Sequence, residues 1–145
     1  MREILTLSIP NRLCELPRLI EAVNTFLQSK RLSREVVEIV HIALDELVTN
    51  VIRWGYDDGQ EHEVRVETTV DATEVRVVIE DDGRPFDPTS IPQPNILTAP
   101  EHRSEGGLGI HLVRTMVDKF IYKRVGEQNI VEVTVARNRL RSRSR

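Results

Sequence analysis

Apolar and polar residues alternate along Ile4-Leu5-Thr6-Leu7-Ser8-Ile9, and Pro10 closes the run, so the chain opens with a period-two strand. After a connection, Leu16, Leu19, Ile20, Val23, Phe26 and Leu27 recur at helical spacing and predict a first amphipathic helix. Pro17 is tolerated in its opening turn. A second, longer helical run holds Val36, Val37, Val40, Ala43, Leu44, Leu47, Val48 and Val51. Ser33 suits its N-cap and Glu35 its first turn, and Gly55 with Asp58-Gly59 stops it. Period two returns in 64–70 and 74–80, with Asp71-Ala72-Thr73 as a tight hairpin between them. Residues 84–105 carry five prolines and little periodicity, and a loop of that length is commonly functional or disordered. Ile110, Leu112, Val113, Met116, Val117 and Phe120 predict a third helix. Residues 121–125 and 130–136 predict a closing hairpin around Gly126-Glu127-Gln128-Asn129.

Helices and strands come in groups rather than in strict alternation. That order predicts an α+β fold: a two-layer sandwich whose mostly antiparallel sheet is covered on one face by three helices. It argues against a doubly wound parallel sheet. No repeat and no second domain is visible, so residues 1–136 read as one domain.

Composition narrows the class. The chain has 145 residues, 39% hydrophobic and 30% charged, with a net charge of −3. This is a water-soluble composition with no general attraction to nucleic acid. The exception is the end, where Arg137, Arg139, Arg141, Arg143 and Arg145 form a basic tail over 137–145, expected to be disordered, with a partner or nucleic-acid contact as the alternative. Cys14 is the lone cysteine, which leaves no disulfide framework and no cysteine metal site; it reads as a packed thiol. Met1-Arg2-Glu3 does not begin a signal peptide, and no apolar run has membrane-spanning length. A cytoplasmic location is expected.

Three stretches carry candidate chemistry. In the second helix, Glu46, Asn50 and Arg53 stand at i, i+4 and i+7, which stacks a carboxylate, an amide and a guanidinium on one strip. Asp81-Asp82-Gly83 ends a buried strand; a carboxylate there can accept from an exocyclic amine, and glycine lets backbone come close to a ring. Gly106-Gly107-Leu108-Gly109 opens the third helix, whose first amides are free donors at a positive dipole end suited to phosphate. Each stretch alone has an ordinary explanation, respectively a solvated face, a turn and a hinge. Neither a P-loop nor a Rossmann fingerprint is present.

Together, in this order, the three stretches resemble the N, G1 and G2 boxes of the GHKL (Bergerat-fold) ATP-binding superfamily. Residues 46–56, 81–88 and 106–113 carry the resemblance, which extends from about Ile4 to Ala136 and points to the small RsbW/SpoIIAB-type anti-sigma factor serine kinases. It implies ATP and Mg²⁺ as ligands. Glu46 is implied as general base toward a partner's serine hydroxyl, and Asn50 as the Mg²⁺ ligand. Asp81 is implied as reader of the adenine amine, with Gly83 giving ring clearance and Thr134 assisting from the last strand. Gly106, Gly107, Leu108 and Gly109 would hold the phosphates, with 84–105 as the ATP lid. Arg53 is assigned either to phosphate or to a structural ion pair.

Two departures stand out. Pro85 replaces the second glycine of the superfamily's G1 motif, as it often does in this branch. Trp54 stands where this branch usually has histidine, and is read as a packing residue. His111 is read as packed or capping. The implied function is a serine kinase acting on a STAS-domain antagonist while also holding a sigma factor. The alternative is a nucleotide-binding module that sequesters a regulator with little or no transfer, or with a target other than a sigma factor. A histidine-kinase catalytic domain is set aside because no phospho-acceptor helix is seen ahead of the first strand. The resemblance also implies a homodimer formed through the sheet side, with 4–9 as an edge, and Arg18 is read either as a partner-facing residue or as a solvated arginine. No direct nucleic-acid or membrane contact is implied.

Overall fold

A computed structural model describes residues 2–90 and 107–138. Five strands, β1 (Glu3–Pro10), β2 (Glu63–Val70), β3 (Glu74–Asp81), β4 (Lys119–Val125) and β5 (Gln128–Ala136), form one sheet in the order β1-β2-β3-β5-β4. Every neighbouring pair is antiparallel. Three helices, α1 (Leu16–Gln28), α2 (Arg34–Trp54) and α3 (Gly107–Met116), make the second layer. The expected two-layer α+β sandwich is the observed one, and β1 lies at an edge.

The layers meet because each element has one apolar side. Val75, Val77 and Ile79 of β3 alternate with polar residues and are buried, as are Val131, Val133 and Val135 of β5. The α2 stripe of Val36, Ile39, Val40, Ala43, Leu44, Leu47 and Val48 covers these two central strands. Burying such side chains, at about 25 cal/mol per Å² of apolar surface, is the dominant favourable term. Ser33 caps α2 by accepting a hydrogen bond from the Val36 amide at 3.2 Å, and the Gly55 amide closes the far end on the Val51 carbonyl at 2.8 Å.

Several sequence expectations need correction. Phe120 is not in the third helix. The last helical bond runs from the Val117 amide to the Val113 carbonyl, and the Asp118 amide then donates to the Thr134 carbonyl at 2.8 Å. Capture by β5 turns Phe120 into a strand residue opposite Val133. The closing hairpin loop is two residues, Gly126-Glu127, with φ of +60° at Gly126, so Gln128 and Asn129 belong to β5. Cys14 is exposed, because the short 3₁₀ turn Leu13–Glu15 points Leu16 rather than Cys14 at the core. Trp54 does not pack in the core: it ends α2 and is 37% exposed. Arg18 needs no correction: it is exposed on α1, where it pairs with Glu15 at 3.1 Å.

Arg137 is tied down. Its amide donates to the Thr73 carbonyl at 2.9 Å, and its guanidinium donates to the carbonyls of Asp71 at 2.7 Å and Lys30 at 3.0 Å. The remaining tail arginines, Gly106 and residues 91–105 of the segment expected to form an ATP lid lie outside the described residues. Among the described residues no helix is long and apolar enough to cross a membrane.

Candidate functional site

The sheet edge of the site is built where β3 and β5 end side by side. Asp81 and Asn129 are directly opposed in the ladder and point to the same, helix-covered face. Both are almost fully buried, at 4% and 3% exposure. Asp81 Oδ1 accepts from the Gly83 amide at 2.8 Å and from Asn129 Nδ2 at 3.0 Å. Asn129 Nδ2 also faces the Arg84 and Gly83 carbonyls at 2.9 and 3.3 Å, while Tyr122 donates its hydroxyl hydrogen to Asn129 Oδ1 at 2.6 Å. Arg124 of β4 donates to the Gly83 carbonyl at 2.8 Å. Burial pushes the Asp81 carboxyl above its ordinary range, with Asp82 acting in the same sense; the bonds from Asn129 and Gly83 and the charge of Arg124 pull it back.

The loop after β3 is fastened to the end of α2. The Arg84 amide donates to the Gly55 carbonyl at 2.9 Å, and Arg84 Nε reaches the Trp54 carbonyl at 2.5 Å. A Cβ at Gly83 would meet the Gly55 carbonyl oxygen at 2.5 Å, so glycine is required there by backbone crossing backbone. That explains Gly83 by contacts within the chain, beside the ring clearance expected from sequence. Between this loop, β3, β5 and α2 runs a cleft walled by Leu47, Val51, Ile79, Phe86, Pro88 and Val131, with Asp81, Asn129 and Asn50 among its lining groups. Apolar walls with a few fixed polar groups suit a flat heteroaromatic ring. Pro85 is exposed beside this loop, between the lining residues Arg84 and Phe86.

One helical strip supplies the reactive side. Asn50 is buried and donates Nδ2 to the Glu46 carbonyl at 2.6 Å. The carbonyl can only accept, so the amide nitrogen is committed and Oδ1 is the atom left to ligate. A hard cation such as Mg²⁺ takes oxygen ligands and few from the protein, and this donor fits it. Among the described residues no cluster of three or more His, Cys, Asp or Glu could hold a metal by itself. Glu46, half-buried one turn earlier, lies against Gly109: a Cβ at position 109 would overlap its carboxylate. Burial raises the Glu46 carboxyl above the usual range, Asp45 adds to this, and Arg53 opposes it. Arg53 is exposed and acts on Glu46 through its charge. Gly107 and Leu108 begin α3, placing the first turn of that helix beside the Glu46 carboxylate.

Thr134 is not part of this arrangement. It pairs with Arg76 and Lys119 at the opposite end of β5 from Asn129. An odd offset of five residues also puts its side chain on the other face of the sheet. The position beside Asp81 belongs to Asn129, which sequence reading left in a turn. The signal that would have found it is the two-residue hairpin, since starting β5 at Gln128 sets Asn129 opposite Asp81. Tyr122, Arg124 and Phe86 were missed for the same kind of reason: only strand pairing and the path of the loop bring Phe86 to the cleft, Tyr122 to Asn129 and Arg124 to the Gly83 carbonyl. His111, expected to be packed or capping, keeps Nδ1 buried with no hydrogen-bond partner.

A family model for the histidine kinase-like ATPase domain matches residues 9–135. The chain belongs to that family. This ATPase domain is 33% identical over 104 residues to "Serine-protein kinase RsbW" of Bacillus subtilis, an alignment covering 69% of the chain and 62% of that protein. It is 31% identical over 114 residues to the protein of the same name in Bacillus licheniformis, covering 75% and 70%. An "Anti-sigma F factor" of Clostridium novyi is 24% identical, with 68% of each chain covered. The alignments with the Bacillus subtilis and Bacillus velezensis kinases take in 62% and 54% of those proteins, so the chain spans little more than half the length of these relatives. The fold of the ATPase domain also matches a crystal structure of the RsbU and RsbW domains of a Mycobacterium tuberculosis protein. Its TM-score is 0.61 at 13% identity, covering 92% of this chain and 32% of that one.

Proposed function

We propose that this protein is an ATP-dependent serine kinase of a partner-switching circuit, which phosphorylates a STAS-domain antagonist and also binds a sigma factor. The observation that carries the reading is the Glu46 carboxylate. It sits at the start of α3, one turn from a buried Asn50 whose amide oxygen is uncommitted, beside a cleft with one acceptor carboxylate. A pure nucleotide-binding module has no use for a base in that place. The names of the Bacillus and Clostridium relatives supply the substrate class, serine in a protein, and the sigma-factor partner.

In this reading the adenine ring lies between the apolar walls and donates its exocyclic amine to Asp81. The early amides of α3 receive the phosphates. Asn50 Oδ1 would hold Mg²⁺, whose charge would offset that of the phosphates. Glu46 takes the proton of the incoming serine hydroxyl as its oxygen attacks the γ-phosphorus, and ADP leaves. Burial, by raising the Glu46 carboxyl, makes it the stronger base. Arg53 steadies the ionised form. The protein would act in the cytoplasm, as a homodimer joined through its sheet side.

The test is transfer itself. The protein is mixed with Mg-ATP and a STAS-domain protein encoded beside it, and serine phosphorylation is followed by intact mass. Transfer that Glu46→Gln and Asn50→Ala both abolish supports the kinase. Tight Mg-ATP binding by the wild type with no transfer would replace it with a partner-sequestering regulator.

A further inference from the structure

The Asn129 side chain is fully engaged, and its orientation is fixed by chemistry. Three groups surround its nitrogen: Asp81 Oδ1, the Gly83 carbonyl and the Arg84 carbonyl. None of the three can donate while Asp81 is ionised, so the amide nitrogen must face them and Oδ1 must face Tyr122. The Tyr122 hydroxyl then has to be the donor in its 2.6 Å bond. Asn129 therefore has no donor hydrogen left for a ligand. Its effect on the cleft passes through Asp81.

That effect is specific to one oxygen. Oδ1 of Asp81 receives two N–H groups, from Gly83 and Asn129. No protein donor reaches Oδ2 among the described residues, and Asp81 lines the cleft, so while the carboxyl is ionised Oδ2 is the oxygen left to accept from a ligand.

We propose that Asn129, held by Tyr122, is a specificity-determining positioning residue: by holding one oxygen of the Asp81 carboxylate it positions the other as the acceptor that selects a 6-aminopurine over a 6-oxopurine. The inference rests on the nucleotide reading above and deepens it. An exocyclic amine donates to an ionised carboxylate. A 6-oxo group presents an acceptor to that carboxylate and is repelled, and it is accommodated only when the carboxyl carries a proton to donate.

The protonation state of Asp81 thus becomes part of the selection. The charged and titratable groups that face it are Asp82 at the end of β3, Arg124 from β4, and Tyr56 from the segment after α2. Burial and Asp82 favour the protonated form; the bonds from Asn129 and Gly83 and the charge of Arg124 favour the ionised one. Removing the amide shifts that balance toward the neutral acid and so toward the oxopurine.

The experiment compares ATP with inosine triphosphate, in which oxygen replaces the amine at position 6 and N1 gains a hydrogen, so that the donor and acceptor at that edge of the ring are exchanged. Affinities are measured with Mg²⁺ by titration calorimetry between pH 5.5 and 8 for the wild type, Asn129→Leu and Tyr122→Phe, with thermal unfolding as the check on folding. The expected wild type prefers ATP. Asn129→Leu reduces the ATP-to-inosine-triphosphate preference by about tenfold, since one hydrogen-bonded polar contact decides it. It also moves the acid loss of that preference to higher pH. Tyr122→Phe moves both in the same direction by less.

A structural role alone would lower both affinities by one factor and leave the preference and its pH midpoint where they were; that result overturns the inference. Should Asn129→Leu not fold, the preference and midpoint of Tyr122→Phe decide the matter, because that variant removes a single hydroxyl. A wild type that binds neither nucleotide overturns the nucleotide reading, and this inference with it.

Discussion

The Glu46 carboxylate occupies the place that a side chain at Gly109 would need. One residue belongs to the long second helix and the other to the first turn of the third, so the contact joins the proposed base to the proposed phosphate-binding turn. Substituting Gly109 by alanine forces one of them to move. Phosphoryl transfer is expected to fall by about 10²-fold, the cost of a displacement near 1 Å in a reacting geometry. The thermal unfolding midpoint should change little, because the added methyl can be relieved by rotating one half-buried side chain. Initial rates and a melting curve of Gly109→Ala check this, and undiminished transfer would break the link between the two residues.

A base must be ionised to act. Burial raises the Glu46 carboxyl, so transfer should fall in acid with a midpoint above that of an ordinary glutamate. Arg53 opposes the shift, and Arg53→Met should carry the acid limb of the rate profile to still higher pH. The matching stability effect has a definite sign. A carboxyl raised in the folded state destabilises the fold when ionised, so the cost is absent below the unfolded value and full above the folded one. Glu46→Gln should therefore melt slightly higher than the wild type at neutral pH while losing transfer.

His62 stands between two carboxylates. Nε2 is 2.7 Å from Asp58 and Nδ1 is 3.2 Å from Asp82, and the ring stacks on Tyr56 with centroids 4.4 Å apart. Only the imidazolium has a hydrogen for both acids. The bond to Asp58, helped by Asp82, raises the His62 value above 6.5. Stability from this group is thus fully present below about 6.5, the unfolded value, and is lost as pH rises through the folded value. Proton NMR should place the His62 midpoint above 6.5, and His62→Gln should flatten the fall in melting temperature across that window. An unshifted His62 resonance would rule out the double pairing.

Leu44 lies at the centre of the α2 stripe and is 1% exposed. Leu44→Ala should destabilise the protein by about 2–5 kcal/mol through lost burial and the cavity left behind. Denaturant titration measures this, and a loss below about 1 kcal/mol would show that the layers close over the gap.

Ser33→Ala removes the acceptor for the Val36 amide at the start of the same helix. About 1 kcal/mol is expected. The denaturant slope should be unchanged, since the surface exposed on unfolding is the same.

Local patterning settled a great deal. The apolar spacing of α2, the alternation in β2 and β3, and the cap at Ser33 depend on neighbours within a few residues, and they are legible in a linear chain. The same holds for the Glu46–Asn50 strip, because helical spacing alone stacks those two side chains. Grouping of the elements then sufficed for a two-layer α+β sandwich.

Strand register and contacts between distant elements were decided only in the folded molecule. Phe120 has helical spacing from Met116, yet β5 captures the backbone at Asp118 and makes it a strand residue. Thr134 and Asn129 are both polar residues of the last strand, but hydrogen-bond pairing sets Asn129 opposite Asp81 and turns Thr134 to the other face. Gly109 and Glu46 touch because α3 packs on α2. Periodicity states which side of an element is apolar; it does not state which residues of another element will lie opposite, and in this protein that second fact chose the partner of Asp81.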